Sequence, residues 1–150
     1  MPNIARNILA VLAGIILGGT VNMKLITLGP SLIPPPAGVD VTNAENLAKS
    51  IHLFEPRHFV MPFLAHALGT FVGACIAYAI AATSRAKFAY FIGVFTLIGG
   101  IAASVMIPAP KWFIALDLIV AYIPMAWLST QIGKRAFPET QTAVTSQEPT

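Results

Sequence analysis

The sequence is poor in charge and in cysteine. Of 150 residues only 10% are Asp, Glu, Lys or Arg, against 56% hydrophobic residues. Soluble domains carry about 25% charged residues, so a water-soluble globule of this composition could not cover its surface. The mean hydropathy of +0.75 points the same way, to lipid as the surrounding solvent. Cys75 is the single cysteine. It can form no internal disulfide, and within its apolar run it reads as a small apolar residue rather than a reactive or metal-binding thiol. Nine Lys and Arg exceed six Asp and Glu, but they form no basic cluster on a polar face, so no nucleic-acid partner is expected.

What the sequence does contain is four apolar stretches, at 8–28, 59–83, 86–107 and 112–132. Each approaches or exceeds the roughly 20 residues that a membrane span needs. They predict an all-α membrane protein, a four-helix transmembrane bundle forming one domain over 1–135, with the lipid bilayer as its first partner. The polar stretch 136–150, rich in Thr, Gln and Glu, is expected to be a disordered tail. Arg6 before an apolar run also fits a cleaved leader, which would leave three spans. No A-x-A site follows it, and apolar character resumes beyond Asn22 and Lys24, so the uncleaved reading is preferred.

The connections at 83–87 and 108–111 are short, whereas 29–58 is long. In that loop Pro34, Pro35 and Pro36 make a stiff extended piece. Thr42 and Glu45 have the spacing of a capping box. Leu47, Ala48, Ile51 and Phe54 then recur at helical spacing, predicting a short amphipathic helix on the membrane surface or on the bundle mouth. With the termini inside, Arg6, Arg85, Lys87, Lys134 and Arg135 are cytoplasmic, and Lys49, Arg57 and Lys111 lie outside. The inner residues lie close to the span ends, where the positive-inside rule is strongest, so both termini are expected in the cytoplasm.

Lipid gives helices no hydrophobic reason to associate, so contact faces are sought among small residues. Stripes at spacings of three and four run through Gly14, Gly18 and Asn22; through Pro62, His66, Gly69, Gly73 and Ala77; through Gly93, Thr96, Gly100 and Ala103; and through Asp117, Ala121 and Pro124. Three of these faces end in a polar group near the outer side, namely Asn22, His66 and Asp117. Polar groups in hydrocarbon are expensive and mark functional sites by default, so these three are the transport or ligand-binding candidates. Lys24 lies two residues, about 200° of helix rotation, from Asn22 and about 6 Å from its span end. It is expected to extend its amine to the headgroups.

Each candidate also has a plainer reading. His66 can be a neutral histidine bonded to a neighbouring helix. Asp117, about 8 Å inside its span, can be a carboxylate near the interface paired with Lys111 or Arg57. The sharper alternative is an Asp117–His66 pair supported by a hydrogen bond from Asn22, able to take up a proton or hold a cation. No metal or cofactor is expected, since His58 and His66 stand about 12 Å apart along one helix. Glu55, Arg57 and His58, with Lys24, form a candidate rim at the outer mouth. Pro124 is expected to kink the fourth span, and Trp112 and Phe113 to form an interfacial anchor. Leu17-Gly18-Gly19 weakly echoes Ile98-Gly99-Gly100.

The segments GGTVNMKLITLGPSLIPPPAGVD, HLFEPRHF, FLAHALGT and LDLIVAYIPMAWL together resemble a type of small four-span bacterial membrane protein with no assigned activity. The resemblance covers most of the chain apart from the tail. It implies the bacterial inner membrane and carries over no site. Three functions stay open. The chain passes a small solute, ion or proton as a homo-oligomer, because four short helices leave little internal room. Alternatively it is an accessory or scaffold subunit of a larger membrane complex, or a membrane enzyme acting on a lipid or quinone with His66 as base.

Overall fold

The computed structural model describes residues 1–137; the expected tail lies outside them from residue 138 onward. The helices are α1 (Asn3–Leu32), α2 (Ala44–Ser50), α3 (Val60–Ile80), α4 (Arg85–Met106), α5 (Lys111–Val120) and α6 (Ile123–Ala136). Short 3-10 turns at Ile51–Leu53 and Pro56–Phe59 lead into α3. Four rods are long and apolar enough to cross a membrane: α1, α3 with its lead-in, α4, and α5 with α6. The protein is a four-helix transmembrane bundle with a short helix, α2, in the first long loop. Both chain ends of the bundle lie on one side, and the 33–59 loop and the 107–110 turn lie on the other.

Helix α3 is the centre, packed against α1, α4 and α6. Its contact with α1 is made by glycine on both sides. A methyl carbon placed at Gly18 would stand 2.6 Å from the Gly69 carbonyl oxygen, and one at Gly73 would stand 2.7 Å from that of Gly14. Close backbone approach of this kind raises dispersion attraction where lipid offers no hydrophobic drive. Gly93 meets Ala126 of α6, while Gly100 faces the Tyr122 ring. The two Gly-Gly pairs are not equivalent: Gly18 and Gly100 are packed, whereas Gly19 and Gly99 have open space beside them.

Several boundaries differ from expectation for local reasons. Helix α1 starts at Asn3 and passes through Pro30 to Leu32. Pro30 has no amide to give the carbonyl four residues back, and the Ile33 amide closes the end on Gly29 at 2.8 Å. Helix α3 stops at Ile80 rather than near residue 83, because α1 supplies its cap. Arg6 Nε donates to the Ile80 carbonyl at 2.6 Å, and Asn7 Oδ1 accepts from the Ala82 amide at 2.8 Å. The Ile80 carbonyl is one of the orphan groups that a helix C-terminus must satisfy, and the Ala82 bond holds the chain just beyond it.

The cap of α2 is Asn43, not Thr42. Asn43 Oδ1 accepts from the Glu45 amide at 2.7 Å, while the Thr42 amide and hydroxyl are both taken by Asp40 at 2.8 and 2.6 Å. Those two bonds, the hydroxyl first, and a third from the Asn46 side chain hold the Asp40 carboxyl below the usual carboxylate range. The loop lies on the bundle mouth. Ile51 is buried with Phe59 and Phe113, and Leu47 and Phe54 pack against them. Phe113 therefore turns inward, its ring 4.7 Å from Phe59, and Trp112 alone of the expected anchor pair stays half-exposed.

Candidate functional site

His66 and Asp117 each sit six residues into helices that descend from the loop side, α3 and α5. At 1.5 Å per residue both lie about 9 Å below their helix starts, at the same depth. His66 Nδ1 approaches Asp117 Oδ1 at 2.9 Å and Oδ2 at 3.0 Å. Asp117 is only 4% exposed, so its partner is α3 rather than the interface. Arg57, considered above as a partner for it, pairs with Glu55 at 3.0 Å instead.

The second donor to Asp117 is Tyr122, whose hydroxyl reaches Oδ2 at 2.8 Å. The Tyr122 ring also stacks on His66, with centroids 5.9 Å apart and 28° between planes. Periodicity conceals this contact. A residue five positions on is about 140° around a regular α-helix from Asp117. The span breaks at Ala121 and Tyr122, where Tyr122 has φ −119° and ψ −79° before α6 begins. Pro124, in the first turn of α6, cannot donate to the carbonyl four residues earlier, so the break is anchored by proline chemistry. Gly100 then supplies the space: a methyl group there would overlap the Tyr122 hydroxyl.

The network also assigns the imidazole. An ionised carboxylate only accepts, so His66 carries its hydrogen on Nδ1. In the neutral ring Nε2 is then an acceptor, and in the imidazolium it is a donor. Nε2 makes no hydrogen bond among the described residues, and none of their buried side-chain nitrogens or oxygens is left unpaired. Nε2 is therefore accessible rather than buried. His66 lines two cavities. One, of about 270 Å³, lies under the loop and includes Asp117, Phe54, Phe59, Ile107 and Phe113 in its wall. The other, of about 480 Å³, runs along the crevice between α1 and α4 and includes Asn22, Thr96 and Tyr122.

Asn22 shares that second cavity but makes no side-chain hydrogen bond to His66 or Asp117. Its Cβ instead lies against Gly69, 2.9 Å from where a methyl carbon there would stand. The place expected for Asn22 in the hydrogen-bonded layer is taken by Tyr122. Lys24 is exposed and lines neither cavity. Glu55 and Arg57 form a surface pair, but His58 is buried. Its Nδ1 accepts from the Glu55 amide at 2.9 Å, which leaves Nε2–H to donate to the Pro34 carbonyl at 3.1 Å. His58 thus straps the proline segment to the start of α3, and with Glu55 and Arg57 it lines a cavity beside that segment. Among the described residues no group of three His, Cys, Asp or Glu side chains is placed to hold a metal ion.

No protein-family model, curated protein or solved structure matches the chain.

Proposed function

We propose that this chain is a transport component that carries protons, or a small solute or ion coupled to them, through the His66–Asp117–Tyr122 layer. The observation that supports it most is a carboxylate at 4% exposure, inside an apolar bundle, bonded to a histidine whose other nitrogen is open. Such a group is costly in hydrocarbon and is retained where ions or protons pass. Neutral His66 takes a proton on Nε2 from one cavity. The resulting imidazolium lies against Asp117, which compensates the new charge. Release to the second cavity returns the ring to its neutral form. Gly100 and Ala103 line both cavities with His66, so the ring stands where the two meet.

Toward the chain ends the interior is closed by Ala77, Tyr78, Ala89 and Ile92. Anything larger than a proton therefore needs a path beside the bundle, which supports action as a homo-oligomer. The Lys and Arg close to the span ends on the chain-end side support a setting with both termini cytoplasmic.

Reconstitution into vesicles with a trapped pH dye and an imposed potassium gradient tests this reading. Proton flux above that of protein-free vesicles is expected, falling to the protein-free level in Asp117→Asn and in His66→Ala. Full flux in both variants removes the layer from the path. Wild-type flux no greater than that of empty vesicles removes transport itself.

A further inference from the structure

The loop-side cavity has a composition that a proton path does not need. Its wall is almost wholly aliphatic and aromatic, drawn from the end of α1, the loop, α3, α4 and α5. Its volume of about 270 Å³ approaches the lower end of the range for small-molecule sites, roughly 300–1,000 Å³. A proton or hydrated ion gains nothing from such walls.

The polar groups in the wall are few, and most are already engaged. His58 is committed through both nitrogens, to Glu55 and to Pro34. The Ser104 hydroxyl donates to the Ile101 carbonyl at 2.7 Å. Asp117 accepts from His66 and Tyr122. Ser104 Oγ, its hydrogen spent, can still accept, and His66 Nε2 in the neutral ring oriented by Asp117 is an acceptor without a hydrogen. An apolar chamber whose free side-chain groups are acceptors selects for an apolar molecule bearing a donor. A site built to hydrogen-bond a hydroxyl discriminates against an analogue lacking it, because the bound analogue would cover the site's acceptor and leave it unpaired.

We infer that the loop-side cavity binds a lipid-soluble hydroxyl compound, such as a phenol, quinol or long-chain alcohol. Its apolar body lies among Phe54, Phe59, Ile107 and Phe113, and its hydroxyl donates to Nε2 of His66. The inference rests on reading His66–Asp117–Tyr122 as the functional layer, and it names the class of solute that layer meets. Asp117 and Leu118 of α5 and the packed loop belong to the chamber wall, while the membrane supplies the ligand.

Binding of 2-naphthol to the full-length protein in lipid nanodiscs tests this, with naphthalene and 2-methoxynaphthalene as matched compounds lacking the donor. Empty discs correct for partition. Saturable 2-naphthol binding is expected, about tenfold tighter than for either analogue, the worth of one hydrogen bond to an acceptor that the bound ligand covers. A shift of the His66 Nε2 resonance should accompany it. His66→Ala should abolish the preference while keeping the apolar binding. Ser104→Phe, at a position lining only this cavity, should weaken all three compounds. Equal affinity for the three compounds, no saturable binding above empty discs, or an unchanged preference in His66→Ala would overturn the proposal. So would undiminished binding in Ser104→Phe. Because binding is read without flux, loss of the transport reading and loss of this one are separable: flux without hydroxyl-selective binding defeats only the ligand, and binding without flux defeats only transport.

Discussion

Replacing His66 by leucine should destabilise the bundle by about 3 kcal/mol, the order of cost of leaving a buried carboxylate without its nitrogen donor. The double variant His66→Leu/Asp117→Leu should be markedly more stable than His66→Leu alone. The reason is electrostatic. Asp117 is 4% exposed, and with His66 gone its only remaining side-chain partner is the Tyr122 hydroxyl. A neutral interhelical hydrogen bond in a membrane protein averages only about 0.6 kcal/mol, so the size of the effect separates a bond to an ionised carboxylate from an ordinary polar contact. Equilibrium unfolding in mixed micelles reads both variants. A loss below about 1 kcal/mol for His66→Leu, or a double variant no better than the single, would mean that Asp117 is not held as an anion by His66.

The second large effect concerns the α1–α3 seam. Gly18→Ala should cost about 1–3 kcal/mol, the range for overpacking a closed contact. Its neighbour Gly19→Ala should stabilise by up to about 1 kcal/mol through helix propensity alone. A methyl carbon at Gly18 would meet the Gly69 carbonyl at 2.6 Å and the Gly73 Cα at 3.0 Å, both backbone atoms that cannot swing aside. At Gly19 nothing lies within 4 Å. Because the two glycines are adjacent and share one helix, any general intolerance of bulk in α1 would affect both. The same unfolding experiment, with a donor–acceptor dye pair on α1 and α3, follows the seam itself. Equal effects of the two substitutions would contradict the packing described here.

The four spans were legible because a chain of 10% charged residues leaves few ways to place its apolar runs. The depth of His66 and Asp117 was legible from their distance to the span ends, and the glycine stripes from helical phase. What periodicity cannot carry is the direction of a hydrogen bond. Asn22 lies on the face that phase assigns to it, but its side chain rests on Gly69 and does not reach the pair. Tyr122 was concealed because its contact requires a broken helix; Pro124 signals a kink without saying which side chain the kink delivers. The α2 cap moved from Thr42 to Asn43 because Asp40 competes for both donors of Thr42. His58 reads as a mouth residue by position, yet its ring is consumed by the Glu55 amide and the Pro34 carbonyl.

The central claim is a hydrogen-bonded layer of His66, Asp117 and Tyr122 within the lipid-embedded part of the bundle. Solid-state NMR of the protein in bilayers, with labelled histidine nitrogens and aspartate carboxyls, tests it most directly. The account predicts a through-space contact between His66 Nδ1 and the Asp117 carboxyl, consistent with 2.9 Å. It also predicts a shift of the Asp117 carboxyl signal in Tyr122→Phe. An Asp117 carboxyl with no contact to histidine nitrogen, and with the same signal in Tyr122→Phe as in the unmodified protein, would contradict it.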